Sequence, residues 1–318
     1  MNTVELEIYQ MNNLTNGKLI STTVIDGLIF FKTTETRSFS VLNHLLTKNR
    51  ITNGIMSISF EDFDTDPTKS ISEKYTLDTD TVSISKDLSE NLLPYFRKIE
   101  PYITPKKVIG IDISCMPIPI FARTLQYLSK YHSDKQIIIY YTEPAHYNLK
   151  NLFDFSTYGG EIEIKAIPGY EGKTAQMNET QRIVFYIMGF EVNLDKLIPQ
   201  EINPNGIIPI NGFPAYFPKY KDISLINNSS NNYHTNDIKI VFTEANNPFA
   251  VFNQLTLLMN KYKEYCIDVI PTGSKPMALG ACLFALKNDN NIRLLFPFPS
   301  EYKNESSSGI GTMWEYLI

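Results

Sequence analysis

The sequence predicts an α/β protein built from two similar lobes, each with a mostly parallel sheet. Several short apolar runs, rich in Val, Ile, Phe and Tyr, alternate with stretches of helical pattern. Runs this short and this continuous are typical of strands that are buried on both faces, as in parallel sheets. The order of the pieces repeats between the two halves of the chain, which indicates an internal duplication.

The strands and helices follow one another in regular alternation. The predicted strands are LIFF (28–31), IMSISF (55–60), VIGIDIS (108–114), IIIYY (137–141), RIVFYIM (182–188), IKIVF (238–242), CIDVI (266–270) and IRLLF (292–296). The predicted helices are SFSVLNHLLTK, SENLLPYFRKIEPY, IFARTLQYLSKYH, NLDKLIPQ, NPFAVFNQLTLLMNKYKEY and MALGACLFALKN. Strands that alternate with helices form sheets with right-handed crossovers. Each lobe is therefore expected to be Rossmann-like.

Two pairs of segments support the duplication. IDISCMPIP in the first half matches IDVIPTGSKP in the second within one residue of loop length, and IIIYYTEP and IRLLFPFP both end in proline. The predicted boundary falls near Tyr158-Gly159-Gly160, which gives an N-terminal lobe of residues 1–158 and a C-terminal lobe of residues 159–318. Polar insertions at about 63–87 and 203–236 are expected to be surface excursions.

Composition and charge exclude several classes of protein. The chain has 318 residues, of which 43% are hydrophobic and 20% are charged, so it can bury a core and is not disordered. A net charge of −5 argues against duplex DNA as the main partner. No apolar run approaches the ~18 residues of a membrane span, and MNTVELEIYQ lacks the features of a signal peptide. We therefore expect a cytoplasmic protein that is not bound to a membrane.

The cysteines and histidines predict no metal centre. The three cysteines, Cys115, Cys266 and Cys282, lie in apolar surroundings without CxxC spacing, which indicates reduced thiols. The four histidines form no HxH or HExxH pattern. We expect neither a metal nor a cofactor.

The segment Pro271-Thr272-Gly273-Ser274-Lys275-Pro276 follows the predicted strand 266–270 directly. In an open α/β sheet, ligands bind beyond the carboxyl ends of the strands, where helix N-termini favour anions. Gly273 allows a positive φ or a close backbone approach, the flanking residues offer hydroxyls, and Lys275 offers a positive charge. The segment matches neither GxxxxGK[ST] nor GxGxxG. It predicts either a plain strand-to-helix turn or a cradle for an anionic or nucleotide ligand.

This segment also resembles part of a known family. TGSKPMALGACLFAL is similar to the TGGTKxM-type loop and the small-residue helix of CARF domains, the Rossmann-like sensors of CRISPR-associated systems, of which SAVED domains are fused pairs. The resemblance implies binding of cyclic oligonucleotides or related nucleotide second messengers across a dimer or pseudo-dimer, with slow cleavage of the ligand in some members. It implies that Thr272, Gly273, Ser274, Lys275 and Met277 bind the ligand.

A weaker resemblance concerns the first strand of the second lobe. Met188-Gly189-Phe190-Glu191 looks like the ligand loop of the family's first strand, which adds Gly189, Phe190 and Glu191 to the expected ligand-binding residues. The first lobe has Ser114-Cys115-Met116-Pro117 at the point that matches segment 272–275, with no glycine and no lysine. The resemblance therefore does not extend to a symmetric pair of sites.

Further polar residues follow the predicted strands. Asp112 and Ser114 are candidates for binding a ribose hydroxyl, and Asp112 could instead cap the next helix. Asn246 is a candidate for contact with a base edge, and Asn246-Asn247-Pro248 is also a typical helix cap. The carboxylates that close strands could serve acid–base chemistry, bind a metal or simply mark strand ends; these are Glu61, Asp62, Glu143 and Glu244.

These patterns favour one function and leave two alternatives. The first hypothesis is a nucleotide second-messenger sensor of bacterial antiphage defence, with a separate effector or partner protein. The alternatives are a protein-interaction subunit that has lost its ligand, and a carboxylate-dependent hydrolase or nuclease. The aromatic segment GFPAYFPKYK (212–221) could stack a base or dock a protein. The tail that holds Trp314 could pack back on the protein or insert into a partner.

Overall fold

The computed structural model describes residues 9–14, 22–62, 77–90, 92–147, 158–172, 181–228, 239–288, 292–302 and 307–318. The chain forms two compact units, one made of Met1–Asn148 with Glu305–Ile318 and the other of Leu149–Asn304. Each unit contains a mostly parallel sheet with helices between the strands, which confirms the predicted α/β class with two Rossmann-like lobes.

The strands are numbered β1 to β15 and the helices α1 to α7 in chain order. The strands are β1 (Tyr9–Leu14), β2 (Gly27–Phe31), β3 (Ile55–Phe60), β4 (Thr79–Ile84), β5 (Val108–Asp112), β6 (Gln136–Thr142), β7 (His146–Tyr147), β8 (Tyr158–Ala166), β9 (Arg182–Ile187), β10 (Gly206–Gly212), β11 (Val241–Thr243), β12 (Cys266–Pro271), β13 (Ile292–Tyr302), β14 (Ser307–Ser308) and β15 (Met313–Leu317). The helices are α1 (Ser40–Thr47), α2 (Leu93–Ile103), α3 (Ile118–Tyr131), α4 (Leu194–Ile202), α5 (Pro218–Asn227), α6 (Pro248–Lys261) and α7 (Lys275–Lys287).

The first unit is built on a sheet of seven strands in the order β1-β15-β6-β5-β2-β3-β4. The strands β2 to β6 run parallel to one another. The C-terminal strand β15 pairs antiparallel with β6, and β1 pairs antiparallel with β15. The short strands β7 and β14 form a separate pair in the same unit.

The second unit is built on a sheet of six strands in the order β11-β10-β9-β12-β13-β8. The strands β9 to β13 run parallel to one another, and β8 pairs antiparallel with β13 at the edge. When the parallel strands of each unit are numbered from one to five along the chain, both sheets have the order 3-2-1-4-5. In both sheets an antiparallel strand lies beside the fifth. This shared topology agrees with an internal duplication, in which β5 matches β12 and β6 matches β13.

The expected surface insertions contain parts of the sheets. Segment 63–87 holds the edge strand β4, and segment 203–236 holds β10 and α5, with β10 between β9 and β11. The predicted strand 238–242 overlaps β11, Val241–Thr243, which is the third parallel strand of its lobe. The interpretation of 203–236 as a surface excursion was wrong because β10 bonds to parallel strands on both sides.

The C-terminal tail belongs to the first unit. Residues 305–318 fall within the predicted second lobe, but β15 extends the first sheet by pairing with β6. Trp314 is 6% exposed within that sheet, so the tail packs back on the protein. No helix among the described residues is long and apolar enough to cross a membrane.

Each unit has its own apolar core between sheet and helices. In the first, α1 packs on strands of the sheet through the buried residues Leu28, Phe30, Val41, Leu42, Leu45, Ile55, Ile138 and Tyr140. In the second, α4 packs through Val184, Tyr186, Met188, Leu194, Ile198, Ile207, Ile270 and Leu295. Helix α7 is buried from Pro276 to Ala285, which explains its small side chains. A Cβ at Gly280 would overlap the carbonyl oxygen of Pro248, so this glycine allows α7 to pack closely against the start of α6.

Candidate functional site

The candidate site lies at the carboxyl edge of the second sheet, between β9 and β12. In the order 3-2-1-4-5, these are the first and fourth strands, and the chain direction of the crossovers reverses between them. Such a switch point opens a crevice in which open α/β sheets bind ligands. The loops that follow the two strands, 188–193 and 272–274, meet there. The structure thus brings together the two segments that the sequence analysis selected separately.

Two glycines let these loops touch. A Cβ at Gly189 would overlap the carbonyl oxygen of Thr272, and a Cβ at Gly273 would lie 2.8 Å from Cγ2 of Ile187 and 3.1 Å from Sδ of Met277. Neither glycine is among the residues with positive φ. Close backbone approach, rather than a left-handed conformation, is therefore what requires glycine here.

The two hydroxyls of segment 272–275 hold the loop in place. The Oγ1 of Thr272 donates to the carbonyl of Ile187 at 3.0 Å, and its backbone N–H donates to the same oxygen at 3.1 Å. Ser274 is the N-cap of α7, where its Oγ accepts from the N–H of Met277 at 3.3 Å and donates to the carbonyl of Ala245. These hydroxyls were expected to bind ligand, whereas their observed partners are backbone groups.

Lys275 is the first residue of α7 and is half-buried. The first turn of a helix carries backbone N–H groups and a partial positive charge that favour anions. Met277, only 1% exposed, lies beneath the loop and packs against Gly273 and Gly212, so it supports the loop rather than facing solvent. Lys275 is therefore a candidate anion-binding residue at the start of α7, and Met277 packs beneath the loop.

The loop after β9 is held by two asparagines at the end of α5. The side-chain N–H of Asn228 donates to the carbonyl of Gly189 at 3.1 Å, and that of Asn227 donates to the carbonyl of Phe190 at 2.7 Å. Phe190 is half-buried with its ring 5.3 Å from that of Tyr220, while Glu191 is 7% exposed. Neither asparagine could be predicted as part of the site, because Asn is common throughout segment 203–236 and gives no signal there.

The loop after β11 adds a second helix start. The Oδ1 of Asn247 accepts from the N–H groups of Phe249 and Ala250, both at 3.1 Å, which confirms the predicted cap of α6. Asn246 is half-buried beside Ala245, whose carbonyl accepts from Ser274. Asn246 therefore lies next to the loop that carries Lys275.

Asp112 and Ser114 belong to the first unit, not to this site. Asp112 accepts from the backbone N–H of Ser114 at 2.9 Å and from its hydroxyl, and that hydroxyl accepts from the N–H of Thr142 at 2.8 Å. The prediction that Asp112 caps the following helix was wrong, because α3 begins after Pro117 without a side-chain cap. The pair instead ties the end of β5 to the end of β6.

The matching edge of the first unit is occupied by its own side chains. Arg37 is buried, and its Nε donates to Oε2 of Glu35 at 2.7 Å while its NH1 donates to the carbonyl of Thr142 at 3.2 Å. Burial raises the pKa of the nearby Cys115 thiol to about 11, which disfavours the thiolate that a nucleophile would need. The cation at this edge, Arg37, is therefore already paired with Glu35.

The strand-end carboxylates do not form one centre. Glu61 and Asp62 follow β3, which is separated from β6 and Glu143 by β2 and β5, and Asp62 pairs with Lys86 at 2.5 Å. Glu244 lies in the other unit and accepts from Nδ2 of Asn247 at 3.1 Å. Among the residues that the structure describes, no group of three or more His, Cys, Asp or Glu side chains is arranged to hold a metal ion.

No protein-family model and no curated protein sequence matches this chain. Among solved structures, the chain is similar to a universal stress protein from Archaeoglobus fulgidus DSM 4304, with 9% identity, a TM-score of 0.25 and coverage of 85% of this chain and 95% of that one. It is also similar to the cytoplasmic domain of a prokaryotic cation chloride cotransporter, with 8% identity, a TM-score of 0.28 and coverage of 88% and 98%. Similarities at this level carry no information about function.

Proposed function

We propose that this protein senses a nucleotide second messenger, a linear or cyclic oligonucleotide, at the carboxyl edge of its second sheet. The observation that carries the proposal is the meeting of two glycine loops at the switch point, with Lys275 at the first position of α7. A phosphate there would meet the ammonium group and the partial positive charge of the helix start, while the N–H of Met277 remains capped by Ser274. The role in bacterial antiphage defence, with a separate effector chain, rests on the resemblance of segment 272–277 to CARF domains.

The residues of the proposed site have different tasks in this proposal. Thr272 and Ser274 fix the loop through backbone acceptors, and the glycines bring the two loops together. In our proposal Lys275 neutralises the phosphate, and Asn246 and Phe190 border the ligand. Recognition would then depend on one charge and on the shape of a rigid loop.

The test is a binding titration with a matched pair of lysine variants. Lys275→Ala is expected to weaken the binding of oligonucleotides by about tenfold or more, the usual effect of losing a charge-assisted contact. Lys287→Ala removes the same charge from the exposed last turn of the same helix and is expected to bind like the wild type. Isothermal titration calorimetry with linear and cyclic oligonucleotides measures both.

Equal affinities of the Lys275→Ala variant and the wild type would show that the phosphate does not lie at this loop. Chromatography of the ligand after long incubation with the protein tests the slow cleavage that the resemblance implies.

A further inference from the structure

An exposed aromatic segment borders the proposed site. It comprises residues 213–221, which directly follow β10. The rings of Phe213 and Phe217 are 52% and 42% exposed. Phe213 makes an edge-to-face contact with Phe242, itself 46% exposed, at a centroid distance of 6.2 Å. Three phenylalanine rings thus face solvent on one part of the second unit. Phenylalanine side chains are more often buried, and exposed groups of them mark interaction sites.

Lysines lie among these rings. The Nζ of Lys221 is 5.6 Å from the ring centroid of Phe213, and the Nζ of Lys219 is 5.7 Å from that of Tyr220. Lys221 also lies 3.1 Å from Asp222, whereas segment 213–221 itself holds no acidic residue. Rings interleaved with cations are the pattern by which proteins bind single-stranded nucleic acid, because bases stack on the rings and phosphates meet the charges.

The aromatic segment is joined to the loop that carries Lys275. The hydroxyl of Tyr216 donates to the carbonyl of Ala245 at 3.1 Å, and Ser274 donates to the same oxygen. A second connection runs through rings, because Tyr220 contacts Phe190 at 5.3 Å and Phe217 at 5.2 Å between centroids. The exposed rings are therefore a continuation of the proposed site along the edge of the sheet.

We propose that the aromatic segment stacks the bases of the oligonucleotide whose phosphate lies at Lys275. This inference rests on the proposed function and extends it by naming where the second and later nucleotides bind. In this proposal a mononucleotide occupies the place at Lys275 alone, so only longer ligands gain from the rings. Affinity should accordingly rise with ligand length until Phe213 and Phe217 are covered.

The experiment compares ligands of increasing length on matched variants. The double variant Phe213→Ala/Phe217→Ala removes both rings, and Phe213→Leu/Phe217→Leu keeps apolar area but removes the π-faces. Leu257→Ala is the control, since Leu257 is 64% exposed on α6 and lies outside the aromatic segment. The probes are a nucleoside monophosphate and single-stranded oligonucleotides of two to six nucleotides, linear and cyclic. All variants change exposed side chains, and thermal unfolding verifies that they fold.

Both phenylalanine variants are expected to lose about tenfold or more in affinity for the longer oligonucleotides, as for removal of a stacking ring. Their affinity for the monophosphate should equal that of the wild type, and Leu257→Ala should bind every probe normally. If oligonucleotides bind in a Lys275-dependent manner and the double variants bind them as tightly as the wild type, the stacking inference is wrong and the proposed function stands. If no nucleotide binds to the wild type, the proposed function fails, and the inference fails with it.

A third result would identify a different role for the rings. If the double variants leave nucleotide affinity unchanged but abolish self-association in analytical ultracentrifugation, the aromatic segment binds a second copy of the chain. That result would overturn base stacking without affecting the assignment of Lys275.

Discussion

The carboxyl group of Glu143 is buried where β6 ends, in contact with the C-terminal strand. Its side chain accepts from Nε1 of Trp314 at 2.5 Å, and its backbone pairs with Gly311 and Thr312 at 2.8 Å each. Burial raises the pKa of Glu143 from 4.5 to about 7, and the bond from Trp314 opposes this rise only in part. Around neutral pH the folded first unit therefore holds this carboxyl group near the point of ionisation.

We expect Glu143→Gln to stabilise the protein at high pH only. The pKa of Glu143 is higher in the folded than in the unfolded chain, so ionisation costs stability as pH rises from about 4.5 and the cost is complete above about 7. The shift corresponds to roughly 3 kcal/mol at most. The free energy of unfolding of the variant should exceed that of the wild type by about 2 kcal/mol at pH 8.5 and match it near pH 4. Urea titrations followed by the fluorescence of Trp314, the only tryptophan, measure the difference.

A difference between variant and wild type that does not change with pH would show that Glu143 titrates normally.

The hydroxyls of Thr272 and Ser274 show what the sequence can reveal about the candidate site. Their predicted position, after a buried strand and before a helix, agrees with their place between β12 and α7 at the carboxyl edge of the second sheet. Their acceptors are the carbonyls of Ile187, at the end of β9, and of Ala245, in the loop after β11, and both are distant from the hydroxyls in the sequence. Only the folded sheet shows that these hydroxyls bond to the backbone.

The packing of α6 against α7 depends on one glycine. Gly280→Ala should raise helix propensity by up to about 1 kcal/mol, yet its Cβ would overlap the carbonyl oxygen of Pro248. Backbone cannot yield as a flexible side chain does, so we expect a net loss of about 1–3 kcal/mol in the free energy of unfolding. Gly206→Ala is the control, since its Cβ would meet only Cδ1 of Ile183 at 3.2 Å. Urea denaturation followed by circular dichroism compares the two.

If Gly280→Ala has the same free energy of unfolding as the Gly206→Ala control, α6 and α7 can move apart at no cost, and the close contact of Gly280 with Pro248 does not stabilise the protein.

The strands differ in how well their residue patterns predict them. Strands buried on both faces, such as β2 and β5, are continuous apolar runs and were predicted nearly to the residue. Strand β10, GIIPING, is interrupted by Pro209, a residue that normally argues against an inner strand because it lacks an N–H group. Strand β4, TDTVSI, lies at the sheet edge and exposes polar side chains, so it has no apolar run. Both were therefore assigned to surface insertions.

The division of the chain predicts that the second unit folds as an isolated fragment and that the N-terminal part of the first unit does not. A fragment of residues 149–304 contains every strand of the second sheet and should unfold cooperatively by itself. A fragment of residues 1–148 lacks β15, which pairs with β6 and brings Glu315 within 3.3 Å of the buried Arg50. Without Glu315, the charge of Arg50 is buried without its carboxylate partner. Loss of one partner of a buried ion pair lowers the free energy of unfolding by several kcal/mol. Urea titrations of both fragments, with and without a peptide of residues 305–318, test this.

The 1–148 fragment should lack a cooperative transition until the peptide is added. A cooperative transition in the absence of the peptide, with the midpoint found in the whole chain, would show that β15 is dispensable.

The sequence could not predict that the C-terminal strand belongs to the first unit. Residues 313–317, MWEYL, are apolar enough to form a strand, but nothing in them specifies whether β6 or β13 is the partner. Pairing between strands so far apart in the chain is decided by packing in three dimensions. The repeat of strands and helices, in contrast, is a local pattern and was sufficient to predict two similar sheets.

The pairing of β15 with β6 has a consequence during translation. Domains usually fold as they leave the ribosome, with the N-terminal one first, at about 5–20 residues added per second. Here β6 is made long before β15, and the second unit is made between them, so the first unit waits roughly 10–30 s for its last strand. During that interval the apolar edge Ile137-Ile138-Ile139-Tyr140-Tyr141 has no antiparallel neighbour from the tail. The second unit is thus complete before the first. Until β15 is made, the unpaired edge of β6 is open to chaperones and to pairing with neighbouring chains on the same messenger RNA.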